Sequence, residues 1–552
     1  MKKKSVLLTA LSVVSLIACG GKPTNPTSSV DAPEEPEKPL EIGDTVKEWV
    51  SSSDLDTLPM GVQSGRGSGS IAKDFGNDDS ESLLYQLTGN GYIDSNAINE
   101  PYFLEEDAKN GDIISLYFYL PSDSNIKTLQ LQAVTSNSRG NPVSGETINV
   151  DESKEEEWIR TIVSYDTLDT LGSIRLNYTL VDATKPASLY IDNINITLGA
   201  ETVQTGYEYN DESLCETYED YFKVGTCISG SQINNTEYRK IVKHNFNSLT
   251  AENEGKPEQI LDQAGCQALL SESKAGVAIT TKPFEKIYDF AEANHIGVRH
   301  HTFVWYSQTP SWFFTEDYTA NGKKADKATM LNRMENYIKT TINTLNERWP
   351  GLVYAIDVAN EAIENGGVRT NNNNWYSTVG NDFVYYAFQY AYEAKEDDQE
   401  LYYNDYCFDY DTRNCSFALN TLLKGAIEEG YIDGVGIQGH IDSNANLENI
   451  MTDAKMIKEK GLKCQITELD ITVNSTSASD YAKQKEAYKN FTIKMLENNA
   501  QGLTDINALV VWGVRDNESW KRSQYPLLFD DNYAKKPAYY GVLEAIESAN
   551  ID

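Results

Sequence analysis

Eight short apolar runs alternate with long helical stretches after residue 199, whereas only period-two runs precede it. This pattern predicts a multidomain chain, a (β/α)8 TIM barrel behind an all-β, jelly-roll-like sandwich. Length agrees, because 552 residues exceed one ordinary domain and leave room for two or three units of about 100 to 200 residues. The barrel runs also end in unusually polar and aromatic residues, and the C-terminal ends of barrel strands converge on the one face that carries a site.

Taken in order, residues 1–19 read as an export signal, with Lys2, Lys3 and Lys4 followed by the apolar run Val6 to Ile17, too short to remain as a spanning helix. Leu16-Ile17-Ala18-Cys19 resembles the bacterial lipobox, which implies that Cys19 is lipidated and becomes the first mature residue. Gly20 after it, rather than Asp, implies an outer-membrane address, at the cell surface or facing the periplasm. Several acyl chains on one Cys suffice as an anchor. Residues 20–44 carry Pro23, Pro26, Pro33, Pro36 and Pro39 among Ser, Thr and Glu, and form an extended linker.

Residues 45–199 alternate apolar and polar positions in Ile113 to Leu120, Thr128 to Val134, Trp158 to Tyr165, Ile174 to Leu180 and Ser188 to Leu198, as sandwich strands do. Trp158 shares a strand with Ile159 and Ile162 and is expected in the core rather than as a sugar platform.

Residues 200–552 supply the barrel. Its strands are expected at Phe222 to Ile228, Phe246 to Thr250, Gly297 to Trp305, Val353 to Asn360, Glu400 to Asn404, Gly434 to His440, Lys463 to Leu469 and Ala508 to Val514. Lys282 to Ala293, Ala328 to Trp349, Asp382 to Lys395, Thr421 to Glu429 and Ser479 to Asn498 carry apolar residues at three-to-four spacing and read as helices.

Strand two leads into Glu252 and Asn253, strand three into His301 and Trp305, strand four into Asn360 and Glu361, and strand five into Asn404 and Asp405. Strand six carries Gln438 and His440, strand seven Glu468 and Asp470, and strand eight Trp512. Polar groups this dense are costly to bury without partners, so a ligand-filled cleft is the economical reading. Glu361 and Glu468 stand roughly across the barrel from each other, the arrangement a retaining glycosidase needs, with carboxyls about 5 to 5.5 Å apart. Asn360 can hydrogen-bond a sugar 2-hydroxyl. His440 can hold Glu468 ionised, with Asp470 orienting the imidazole, which separates an acid from a nucleophile.

The segments Phe246 to Asn253, Arg299 to Trp305, Asp357 to Ala362, Tyr403 to Tyr406, Gly436 to His440, Ile466 to Asp470, Val511 to Gly513 and Ser519-Trp520 follow in order. On these the region from about Ser213 to Ile551 resembles glycoside hydrolase family 10, the xylanase family. The resemblance implies endo-hydrolysis of β-1,4-xylan, Glu361 as acid/base, Glu468 as nucleophile, and Asn360, His301, Gln438 and His440 around the sugar at the cleavage point. It further implies that Glu252, Asn253 and Lys256 hold the next sugar, that Trp305, Trp512 and Trp520 wall the cleft, and that no cofactor or metal takes part. A related glycanase or xylo-oligosaccharide hydrolase and a non-catalytic glycan-binding lipoprotein are the alternatives. His300, Tyr306 and Gly255 depart from the family's usual Gly, His and Met, and fall around the glycone pocket. Trp375 is expected to pack under the loop after strand four. The closing stretch Leu189 to Ile196 resembles the last strand of jelly-roll carbohydrate-binding modules appended to xylanases, with an immunoglobulin-like spacer as the alternative.

Charge narrows the partners. A net charge of −36 repels nucleic acid and anionic membrane surfaces, which leaves a lipid anchor as the membrane contact and an uncharged polymer, xylan or xylo-oligosaccharides, as the partner. A monomer is expected. Cys215, Cys227, Cys266, Cys407, Cys415 and Cys464 permit three disulfides in an exported chain, and the absence of a Cys-x-x-Cys pair argues against zinc.

Overall fold

The computed structural model describes residues 42–551 apart from 50–57, 74, 78–80, 99–101, 105–106, 123, 137–141, 202–204 and 211. The export signal, Cys19 and the linker up to residue 41 lie outside the described residues.

Two six-stranded antiparallel sheets make the sandwich. The first orders Trp158–Ser164, Ile113–Tyr119, Pro186–Thr197, Ser82–Thr88 and Gly67–Ala72, with Thr45–Trp49 also on Pro186–Thr197. The second orders Gly61–Val62, Gly91–Asp94, Leu171–Leu180, Ile126–Thr135 and Pro142–Ser144, with Ile148–Asn149 on Ile126–Thr135. Period-two alternation sends Leu116, Phe118 and Ile191 of one sheet and Leu129, Leu131 and Leu176 of the other into a core separate from that of the barrel. Trp158 is not in that core. It shares parity with Arg160 and the exposed Ile162, while Thr161 and Val163 point inward, so its half-buried ring lies on the outer face, 5.6 Å from Tyr119 and 5.9 Å from Phe75.

The barrel strands are Lys223–Ile228, Ser248–Ala251, Gly297–Trp305, Val353–Asn360, Glu400–Asp405, Gly434–Ile437, Lys463–Thr472 and Ile506–Val511. They pair in parallel in chain order, strand eight returns to strand one, and strand six pairs with strand seven to complete the ring. Two strands end earlier than expected. Strand six stops at Ile437, Gly439 turns the chain at φ +85°, and His440–Asp442 pairs separately with the end of strand seven, which sets His440 opposite Asp470. Strand eight stops at Val511, so Trp512 stands just beyond it, before Gly513 at φ +126°. The helices Lys282–Ala293, Lys327–Arg348 and Ala478–Ala500 fall within two residues of their expected bounds, whereas Thr421 to Glu429 divides into a π turn, Ala418–Leu422, and a helix, Lys424–Glu429. Among the described residues no helix is long and apolar enough to cross a membrane.

The cysteines overturn the disulfide expectation. All six are free thiols, spread over separate strands, helices and loops, and Cys227, Cys266, Cys415 and Cys464 are buried as small apolar core residues. Burial pushes each of these four thiols up, which makes them poor nucleophiles for exchange.

Helix Leu447–Glu459 carries one misplaced charge. Asp453 is fully buried, neither carboxylate oxygen has a hydrogen-bond partner, and burial, aided by Asp411 and Asp409, pushes its pKa up to about 8. A folded-state pKa above the unfolded one gives stability that is full below about pH 4 and lost as pH rises through about 8, with an upper bound of about 6 kcal/mol. Asp453→Asn is therefore expected to raise the unfolding midpoint at pH 9 and to change it little at pH 4. A gain no larger at pH 9 than at pH 4 would contradict this account.

Candidate active site

Neighbouring strand ends are in register, with Trp305 opposite Asn360 and Asn360 opposite Asn404, so three polar side chains enter the barrel mouth at one level. Strand six supplies Gly436 at the next position, where any Cβ would collide with Asn404 Oδ1 and the Thr467 methyl. Glycine there makes room for the Asn404 amide. Asn404 Nδ2 donates to Glu468 Oε1 at 2.8 Å and to Asn360 Oδ1 at 3.0 Å. A carboxylate only accepts, so the nitrogen of Asn404 must face Glu468, and the same nitrogen then requires the oxygen of Asn360. Asn360 Nδ2 is left to donate to Glu361 Oε1 at 3.3 Å, and one amide chain joins the two carboxylates.

Glu468 sits in a cationic setting. His440 lies between two acids, with Nδ1 2.8 Å from Asp470 Oδ2 and Nε2 3.2 Å from Glu468 Oε2. Burial alone would lower the imidazole, but Asp470 and then Glu468 outweigh it and push His440 up to about 10, so both ring nitrogens donate at neutral pH. Burial likewise opposes ionisation of Glu468, and the His440 bond together with the charges of His301, His440 and Lys256 holds its carboxyl below the usual range. Asp470 is fixed in turn by Lys521 Nζ and Trp520 Nε1, each at 2.9 Å, and is also held low by His440 and Lys521 against its burial.

Glu361 is held by neutral donors. Trp305 Nε1 donates to Oε2 at 3.0 Å and Gln438 Nε2 to Oε1 at 3.1 Å. Its backbone takes φ +52°, a left-handed conformation that costs a non-glycine residue of order 1 kcal/mol or more. Three contacts hold it there: the Glu361 N–H donates to the Asn404 carbonyl at 2.9 Å, Arg369 Nε to the Glu361 carbonyl at 2.9 Å, and the Ala362 N–H to Tyr403 Oη at 3.0 Å. Arg369 follows the hairpin of Ile363–Glu364 and Gly367–Val368, which turns through Asn365 and Gly366 at φ +52° and +76°.

These groups line a cleft of about 470 Å³. Lys256 Nζ donates to Asn253 Oδ1 at 3.0 Å and lies 4.9 Å from the Trp305 ring centroid. Glu252 is pushed up to about 7 by burial, with Lys256 opposing. Trp512 is buried and edge-on to His301 at 5.8 Å, and Trp520, 57% exposed, stands 5.0 Å from the His440 ring. Beneath the cleft His301 Nδ1 meets Asp357 Oδ2 at 2.9 Å, and Arg299 pairs with Asp357 at 2.6 Å.

Of the strand-end residues expected in the cleft, all line it except Asp470, which stands behind His440, and the strand-five pair Asn404 and Asp405, which are buried beneath it against Glu468 and Tyr403. Trp305, expected as an apolar wall, is also a hydrogen-bond donor to Glu361. Two of the three departures lie elsewhere than expected. His300 is fully buried in strand three, with Nδ1 2.8 Å from Tyr288 Oη, and Gly255 lies against the strand-three backbone, where a Cβ would come within 2.6 Å of the His301 carbonyl oxygen; neither lines the cleft. Tyr306 does line the cleft, on the Glu361 side, with the Arg369 guanidinium 4.1 Å from its ring centroid. Trp375 is fully buried against Phe313 and Phe314. Sequence reasoning missed Tyr410, whose hydroxyl donates to the His440 carbonyl at 2.5 Å, and Asp409, which accepts from the N–H groups of Gly439 and His440 at 2.8 and 2.9 Å. Neither carries a local signal, since both contacts depend on the path of the loop after strand five.

Two carboxylates of different electrostatic setting at the ends of strands four and seven, in a cleft walled by tryptophans, define a glycoside hydrolase. The chain belongs to glycosyl hydrolase family 10, whose sequence model matches residues 213–545. It is 39% identical over 340 residues to the bifunctional endo-1,4-beta-xylanase XylA of Ruminococcus flavefaciens, a match covering 60% of this chain and 34% of that protein. Endo-1,4-beta-xylanase B of Butyrivibrio fibrisolvens is 33% identical over 342 residues, 61% of this chain and 53% of that one. The matches thus span only about a third to a half of those relatives. Among solved structures, the CBM22-1 and GH10 modules of Clostridium thermocellum xylanase 10B, complexed with xylohexaose, superpose with a TM-score of 0.57 at 25% identity, covering 90% of this chain and 96% of that one. The intracellular xylanase TsXylA of Thermoanaerobacterium saccharolyticum does so at 0.54 and 30% identity, covering 60% of this chain and 99% of that one.

Proposed function

We propose that the chain is an endo-β-1,4-xylanase that retains anomeric configuration, with Glu468 as nucleophile and Glu361 as acid/base. The observation that carries this reading is the unequal setting of the two carboxylates. Glu468, beside the His440 imidazolium, is the ionised partner and attacks the anomeric carbon as Glu361 gives its proton to the departing oxygen. Glu361 then takes a proton from water, the hydroxide adds to the same carbon, and the ester bond to Glu468 breaks. Asn360 is placed to accept or donate at the 2-hydroxyl, Gln438 orients Glu361, and Glu252, Asn253 and Lys256 bind the next sugar. Xylan as substrate is supported by the relatives' names. A xylose unit lacks the hydroxymethyl of glucose, so a wall close to that position admits xylan and rejects cellulose by clash.

Reducing-end release from arabinoxylan, cellulose and mannan tests the proposal, and release chiefly from arabinoxylan is expected. Release chiefly from cellulose or mannan would reassign the substrate, and none from any polymer would leave a glycan-binding protein.

The rest of the proposal concerns delivery. Lipidation of Cys19 and an outer-membrane location rest on the sequence of residues 1–20, and a monomer is proposed. A carbohydrate-binding role for the sandwich is supported by its likeness to the CBM22-bearing structure and by the outer-face group of Phe75, Tyr119, Trp158 and Tyr190, whose rings contact one another. Co-sedimentation of the full chain with insoluble xylan decides this part: Trp158→Ala is expected to weaken retention while leaving cleavage of soluble xylo-oligosaccharide unchanged, and equal retention of wild type and variant would remove it.

A further inference from the structure

The segment between the cleft residues Trp512 and Trp520 is held from outside the barrel. Arg515, its side chain 3% exposed, donates through Nη2 to Asp169 in the sandwich turn before Leu171–Leu180, and to Glu518 Oε1 at 2.6 Å. Its Nη1 donates to the Asp531 carbonyl at 3.2 Å, and the guanidinium lies 4.4 Å from the Tyr533 ring centroid. Glu518 also accepts from Gln232 Nε2 at 3.2 Å, in the loop after strand one. Two further bonds brace the same sandwich turn. Asn235 Nδ2 donates to the Leu168 carbonyl, and Thr170 Oγ1 to the Ser231 carbonyl at 3.5 Å. The turn therefore reaches two loops at the mouth of the barrel.

A guanidinium this deeply buried needs carboxylates in place of water, and Arg515 has one from each module. Without Asp169 it loses the carboxylate that ties the segment to the sandwich and keeps only partners within the barrel module, Glu518 and the Asp531 carbonyl. From Glu518 the chain runs directly to Trp520 and Lys521, which fix both oxygens of Asp470, and Asp470 fixes His440 beside Glu468.

We infer that Asp169, in the N-terminal sandwich, is a positioning residue for the barrel's cleft, acting through Arg515 and Glu518 on the segment that carries Trp520 and Lys521. The module then contributes to turnover through this contact, whatever its own affinity for glycan. The activity arm of the test rests on the xylanase reading; the exchange arm does not.

The test uses the full chain with Asp169→Ala and Asp169→Glu. Amide hydrogen exchange is expected to quicken by about tenfold over residues 515–521 in Asp169→Ala while the barrel strands keep wild-type protection. The kcat/KM on soluble xylan is expected to fall roughly five- to tenfold with Tm within a few degrees, and Asp169→Glu to restore both most of the way. Unchanged exchange over 515–521 would overturn the inference, as would quickened exchange across the whole barrel, which marks general destabilisation. Wild type inactive on xylan would refute the functional reading, and the exchange result would still decide the positioning role.

Discussion

Replacing Glu468 with alanine is expected to lower kcat on xylan and on activated aryl xylosides alike, by roughly four to six orders of magnitude. The size follows from what is lost. No other carboxylate in the cleft is held below its usual range beside a protonated imidazole, and Glu252, the nearest substitute in chemistry, is pushed up to about 7 and sits with Asn253 and Lys256. A good leaving group cannot rescue the variant, because the bond to the anomeric carbon must still form. The variant should fold, since removing a buried carboxylate also relieves its desolvation, and His440 retains Asp470 as counter-ion at 2.8 Å. Activity within a hundredfold of wild type on any substrate would remove Glu468 from the role of nucleophile.

Glu361→Ala should separate substrates instead. Xylan, whose leaving group is a sugar alkoxide, is expected to lose about 10²- to 10⁴-fold in kcat/KM, the usual worth of a positioned general acid. An aryl xyloside with a strongly acidic phenol needs no proton in the first step, so its glycosylation should stay within about tenfold of wild type, with the second step now limiting and a burst of phenol released. Equal loss on both substrates, without a burst, would contradict the role. The environment argues for the split: Glu361 accepts only neutral N–H groups, from Trp305, Gln438 and Asn360, whereas Glu468 faces His440, His301 and Lys256. The second setting favours permanent charge, as a nucleophile needs.

Much of the cleft was legible because it is built from strand ends. Asn360 and Glu361 close one apolar run, Glu468 and Asp470 lie in another, and the barrel geometry alone brings such positions to one face. Asn404 was legible as a strand end but not as the donor that links Asn360 to Glu468, because that requires the register of strands four and five and the empty space at Gly436. Arg369 lies beyond a hairpin, and nothing in its neighbours announces that it clamps the backbone of Glu361. The misreading of Trp158 has a similar origin. One strand offers two apolar faces, with Ile159 and Val163 on one and Ile162 on the other, and only packing against the second sheet decides which is inside.

The sequence by itself determined the order of elements, the barrel and sandwich classes, and the residue types delivered to the barrel mouth, since periods of 2 and 3.6 and strand-end positions are local properties of the chain. Tertiary structure decided which side chains meet. The six cysteines stay thiols because the fold keeps them apart, Asp470 serves His440 because a separate three-residue strand aligns the two, and Arg515 finds Asp169 across 346 positions of sequence. A hydrogen bond or ion pair of that span depends on how two modules close on each other, and no local pattern encodes it.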